Sequence, residues 1–91
     1  MPRTLTVGDF IRLGQTVAVK IELLGCTQEF KREWLQLSRI VASAICQEQG
    51  IRHGTPEAEA IPHNTPLGEV SSRLFAQLQD FTSHNHIAIA V

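Results

Sequence analysis

The sequence predicts a small α+β domain in which two main helices pack on one face of a small, mostly antiparallel sheet. Three observations point that way. Residues 15–24 alternate apolar and polar or small side chains, residues 86–91 alternate again at the end of the chain, and residues 27–49 and 66–81 each carry apolar side chains at three- and four-residue steps. Together they imply two strands and two helices.

The opening residues offer two readings. Thr6 followed by Asp9 has the form of a helix cap with an acid in the first turn, and Gly14 would then stop a short helix after Phe10, Ile11 and Leu13. The competing reading makes residues 4–7 a strand, because Leu5 and Val7 alternate with threonines. The next stretch, Gln15 to Leu24, reads more clearly as a strand: Val17, Val19, Ile21 and Leu23 alternate with Ala18, Lys20 and Glu22.

Gly25 breaks that run and Thr27 stands where a helix cap belongs, with Glu29 near the positive end of the helix dipole. Phe30, Trp34, Leu37, Val41, Ala44 and Ile45 then form one stripe, which Ile40 widens, and Gly50 terminates the helix. Residues 51–66 hold three of the four prolines and two of the four histidines. A structureless loop of that length is uncommon in a small domain, so the segment should be locally ordered or functional. Thr55-Pro56 and Thr65-Pro66 both resemble helix starts, the first giving a single turn halted by Pro62, the second a helix from Pro66 to about Phe81. Leu67, Val70, Leu74, Leu78 and Phe81 form its inward stripe, with Phe75 flanking the core. In the tail, Ile87, Ile89 and Val91 share one strand face. Two strands make a poor sheet. Residues 4–7 or 51–53 supply a third, or the unprotected tail pairs across a homodimer.

Composition narrows the function classes. Ninety-one residues, 43% hydrophobic and 19% charged, make one globular domain spanning residues 1–91. A net charge of −1 provides no global positive field toward nucleic acid or anionic lipid. Apolar runs are only a few residues long, far short of the ~20 needed to cross a bilayer, so no membrane partner is expected. Two isolated cysteines, Cys26 and Cys46, without a secretory leader, suit a reducing cytoplasm and free thiols.

Three constellations carry chemistry. His84-Asn85-His86 would aim two imidazoles to one side of a strand, but His53, His63, Cys26, Cys46 and Asp80 are the only other candidate ligands, and the spacing is not that of a zinc signature. Adjacent letters reading HNH are not the dispersed nuclease motif of that name. No metal and no cofactor are therefore expected. Cys26, just before a helix start, is the one credible nucleophile, and a packing role is the ordinary alternative. With no paired carboxylates and no phosphate-cradling loop, the chain reads as a non-enzyme.

The back of the long helix is more informative. Gln28, Arg32, Gln36, Arg39, Ser43 and Gln47 lie opposite the core stripe, and Leu35, Ala42 and Cys46 make a second, narrow apolar line beside them. Arg32, Leu35, Gln36 and Arg39 have the arginine-plus-apolar makeup of an interface, against the plain alternative of a surface leucine or one covered by residues 51–66. The expected function is non-catalytic: a cytoplasmic accessory factor or inhibitor docking on a protein or nucleoprotein complex. In size it suits the small inhibitors that phages make against bacterial defences such as CRISPR complexes, by analogy alone. A direct nucleic-acid-binding regulator is the alternative. Lys31, Arg32 and Arg39 could touch phosphates, but Glu29 and Glu33 dilute the field. A metal- or thiol-dependent enzyme ranks third.

Overall fold

A computed structural model describes residues 3–85, and the chain it shows is all-helical. Four helices follow in order among the described residues: α1 (Val7–Leu24), α2 (Gln28–Glu48), α3 (Pro56–Glu59) and α4 (Glu69–His84). The expected α+β fold is thus corrected. No strand forms among the described residues, whose only β-bridge is an isolated antiparallel one between Thr6 and Pro66. The strand expected over residues 86–91 lies outside them.

The largest correction is α1. Residues 15–24, read as a strand, continue a helix that starts at Val7 and passes through Gly14 without stopping. The reason is a second periodicity in the same letters. Phe10, Leu13, Val17 and Ile21 fall at helical spacing, and Leu13 and Val17 are buried, with Phe10 and Ile21 packed against the same core. Val19 and Leu23, which completed the two-residue alternation, are left 55% and 77% exposed. At the start, Asp9 accepts hydrogen bonds from the Thr6 backbone N–H at 2.8 Å and the Thr6 hydroxyl at 3.3 Å. The helix ends at Gly25, whose left-handed φ of 61° few other residues adopt comfortably.

The second helix forms as its sequence implies. Phe30 N–H donates to the Thr27 hydroxyl oxygen at 3.1 Å, and Gly50 follows the helix with φ of 70°. Phe30, Trp34, Val41, Ala44 and Ile45 are buried, but Ile40 is 45% exposed and does not widen the stripe. This apolar face meets α4, not a sheet, with the Phe30 and Phe81 rings stacked at 5.2 Å between centroids. Phe75 is fully buried and meets Phe10 of α1 edge-on, which places it in the core.

Helix α4 starts later than Thr65-Pro66 suggests, with Gly68 at its N-cap. Residues 62–67 are instead stitched to the N-terminal segment: Val7 N–H donates to Thr65 O at 2.9 Å, Gly8 N–H to His63 O at 2.8 Å, and Leu67 N–H to Leu5 O at 2.9 Å. Pro66 therefore sits in the bridge to Thr6, and Val70, expected inside, is exposed. Gly68 has no capping side chain of its own. Glu48, at the end of α2, reaches the α4 N-terminus and accepts a hydrogen bond from the fully buried Ser71 hydroxyl. The one-turn helix after Thr55 forms where the Thr-Pro pattern places it.

Candidate functional site

Because Phe30, Trp34 and Val41 turn α2 toward the core, its opposite side faces out. Arg32, Leu35, Gln36 and Arg39 are all exposed, Leu35 to 55%. They share one face: steps of three, four and seven residues stack side chains along a helix, with Arg32 and Arg39 about 10.5 Å apart along the axis. Neither arginine has an ion-pair partner among the described residues, where the salt bridges are Arg3–Asp9 and Arg73–Glu69. Their guanidinium forks are free to take carboxylates or phosphates.

The second apolar line of α2 divides. Leu35 stays in solvent, whereas Cys46 is buried and Ala42 half-buried, because residues 53–61 lie across the C-terminal half of the helix. They leave a cleft of about 240 Å³ between three segments. Val7, Phe10 and Ile11 of α1 and Ala42, Ile45 and Cys46 of α2 line its inner walls. His53, Gly54, Thr55, Ala58, Glu59 and Ile61 line the outer side. The lining is mostly apolar, and the volume is below the ~300–1,000 Å³ usual for small-molecule sites, so it suits one large side chain better than a cofactor. Sequence reasoning found Leu35, Ala42 and Cys46 and flagged residues 51–66. It missed that Ala42, Cys46 and residues 53–61 share a cleft with Val7, Phe10 and Ile11, since no local signal links segments so far apart in the chain.

A larger, open hollow of about 640 Å³ lies at the start of α1, lined by Arg3, Asp9, Arg12, Gln15, His63 and Asn64 among others. Asp9, the acid among these lining residues, is already engaged. The Arg3 guanidinium donates to both Asp9 carboxylate oxygens, at 3.0 and 2.6 Å. Its hydrogen bonds hold the Asp9 carboxyl below the ordinary value of 3.8, against burial, which pushes it up, and with help from the Thr6 N–H. The first backbone N–H groups of α1 are taken by the Thr65 and His63 carbonyls, so they are not available to an anion. This hollow lies between the start of α1 and residues 63–64, with its carboxylate and helix N–H groups already engaged, and is a poorer binding candidate than the α2 face.

The other candidates separate in space or lie beyond description. No three of His, Cys, Asp and Glu converge as metal ligands among the described residues. His84 is exposed in the last turn of α4, and His86 lies outside the described residues. Cys26 and Cys46 are free thiols; Cys26 is half-buried between α1 and α2 beside Phe30 and Asn85. No helix among the described residues is long and apolar enough to cross a membrane. No protein-family model, curated protein or solved structure matches this chain.

Proposed function

We propose that the chain is a non-catalytic docking protein that binds a protein or nucleoprotein complex through the outer face of α2 and the adjoining residues 51–66, as an accessory factor or steric inhibitor. One observation supports this reading above the rest. Arg32, Leu35, Gln36 and Arg39 stand exposed together on the side of α2 turned away from its buried Trp34 stripe, with both arginines free of ion pairs among the described residues. Arginine beside an apolar side chain is the makeup of an interface hot spot. A cytoplasmic setting accords with the two free thiols.

The test compares the intact protein with the double variant Arg32→Glu, Arg39→Glu in affinity capture from host and target-cell extracts, with a photo-crosslinker at position 35 to mark the contact. The double variant should melt as the parent does and lose the captured partner. Capture that survives the charge reversal rejects this face. Direct nucleic-acid binding is the second reading, favoured by the same unpaired arginines, and predicts a mobility shift that weakens steeply with salt. Absence of any shift in low salt removes it.

A further inference from the structure

We infer that the cleft of about 240 Å³ beside α2 is the anchor socket of that docking face, taking one large apolar side chain from an acidic segment of a partner protein. The inference rests on the docking role proposed for α2. The connection is geometric. Arg39, Ala42 and Cys46 follow one another at steps of three and four residues, so the exposed arginine lies one turn from the cleft wall that Ala42 and Cys46 provide. Leu35 continues the same apolar line outward, one turn beyond Arg39, to where Arg32 stands.

The charges around the cleft choose the occupant. On the α2 side the exposed cations Arg32 and Arg39 carry no ion pair among the described residues. On the opposite rim, α3 contributes Glu59, which lines the cleft, with Glu57 exposed two residues earlier. A nucleic-acid strand crossing this surface would set its phosphates against those acids and against Glu29 and Glu33 on the first turns of α2. A peptide segment can place its charges separately. Carboxylates over Arg39 and Arg32 meet planar, two-pronged donors, the apolar anchor fills the socket, and an uncharged or basic residue faces Glu59. A small-molecule ligand is disfavoured by the volume.

A random dodecapeptide display library panned against the full chain tests the proposal. Selected peptides should share one Leu, Phe or Trp with Asp or Glu three to seven residues to one side of it. A synthetic copy of the strongest should shift amide resonances of Ala42, Cys46 and Ala58 together with Arg39. Two folded variants then separate the claims: Ala58→Leu narrows the socket, and Arg32→Glu with Arg39→Glu reverses the rim. Each should weaken the peptide about tenfold or more while melting is retained.

Peptide binding that Ala58→Leu leaves intact but the arginine reversal removes overturns the socket and spares the α2 face. Binding untouched by either variant overturns both. A selection without an acidic bias, or with no enrichment at all, overturns the proposal. So does a single-stranded dodecadeoxynucleotide that binds and moves Arg32 and Arg39 without the socket residues.

Discussion

Gly14 and Gly25, both near the disputed strand, should respond to alanine with opposite signs. Gly14 lies in the interior of α1, and a Cβ built there meets no atom within 4 Å outside the helix's own backbone. Replacing glycine by alanine inside a helix removes backbone freedom from the unfolded chain, and stabilises by about 0.8–1 kcal/mol where nothing is crowded. For a domain of this size that is a rise in melting temperature of about 4–8 °C. At Gly25 the Cβ also meets open space, but φ is 61°, and an L-residue held there costs about 1–2 kcal/mol. Gly25→Ala should therefore lower the midpoint by a comparable amount. Urea unfolding followed by fluorescence of the buried Trp34, the sole tryptophan, reads both. A Gly14→Ala variant that is less stable than the parent refutes a continuous helix through residue 14, and with it the reassignment of residues 15–24.

Three further outcomes follow from the packing. At the α2–α4 junction, a Cβ at position 68 would overlap the Glu48 carboxylate that serves Ser71, so Gly68→Ala should cost about 1–3 kcal/mol by displacing that acceptor from a buried hydroxyl. In the Ser71→Ala background most of that cost should vanish, and a double-mutant cycle with no coupling would show that Glu48 plays no such part. Phe75→Ala should remove about 3–5 kcal/mol, a large share of the stability of a small domain, as measured by urea midpoint. For Asp9, the folded pKa lies below its ordinary 3.8, so its contribution is complete above that value and drains away as pH falls through the folded one. Melting temperature followed from about pH 6 to pH 2 should show a shallower acid slope for Asp9→Asn than for the parent; equal slopes would reject the linkage.

Much of the helical layout can be read from the letters, for reasons that are local. Thr27 and Gly50 bound α2 through capping chemistry, Thr55-Pro56 starts α3, and the apolar steps of α2 and α4 describe faces that do meet. The failure at α1 is equally physical. In Val17-Ala-Val-Lys-Ile-Glu-Leu-Leu24 every second residue is apolar, while Leu13, Val17 and Ile21 also lie four apart, so the segment satisfies both periods. Only the partners it packs against decide between them. Gly14 argued for a stop because glycine disfavours helices, yet a penalty near ~1 kcal/mol is outweighed by burial of Leu13 on one side and Val17 on the other, each worth about 1.5–3 kcal/mol. Pro66 was misleading in the opposite sense. Its fixed φ suits an extended bridge to Thr6 as well as a first helical turn. At the candidate site, exposure of Arg32, Leu35, Gln36 and Arg39 follows from the stripe containing Trp34. The cleft beside them depends on where residues 53–61 settle, and periodicity does not encode that.

The stitch between residues 5–8 and 63–67 bears on how the molecule breathes. Helix α1 touches α2 far less than α4 does, so its place depends heavily on three backbone bonds to a segment some sixty positions away, together with Leu13, Val17 and the Phe10–Phe75 ring contact. That makes α1 the natural unit of partial opening, able to swing away while the α2–α4 pair stays closed. Any such excursion would carry off Val7, Phe10 and Ile11, one whole wall of the cleft, so protection of α1 amides against deuterium and occupancy of the cleft should rise and fall together.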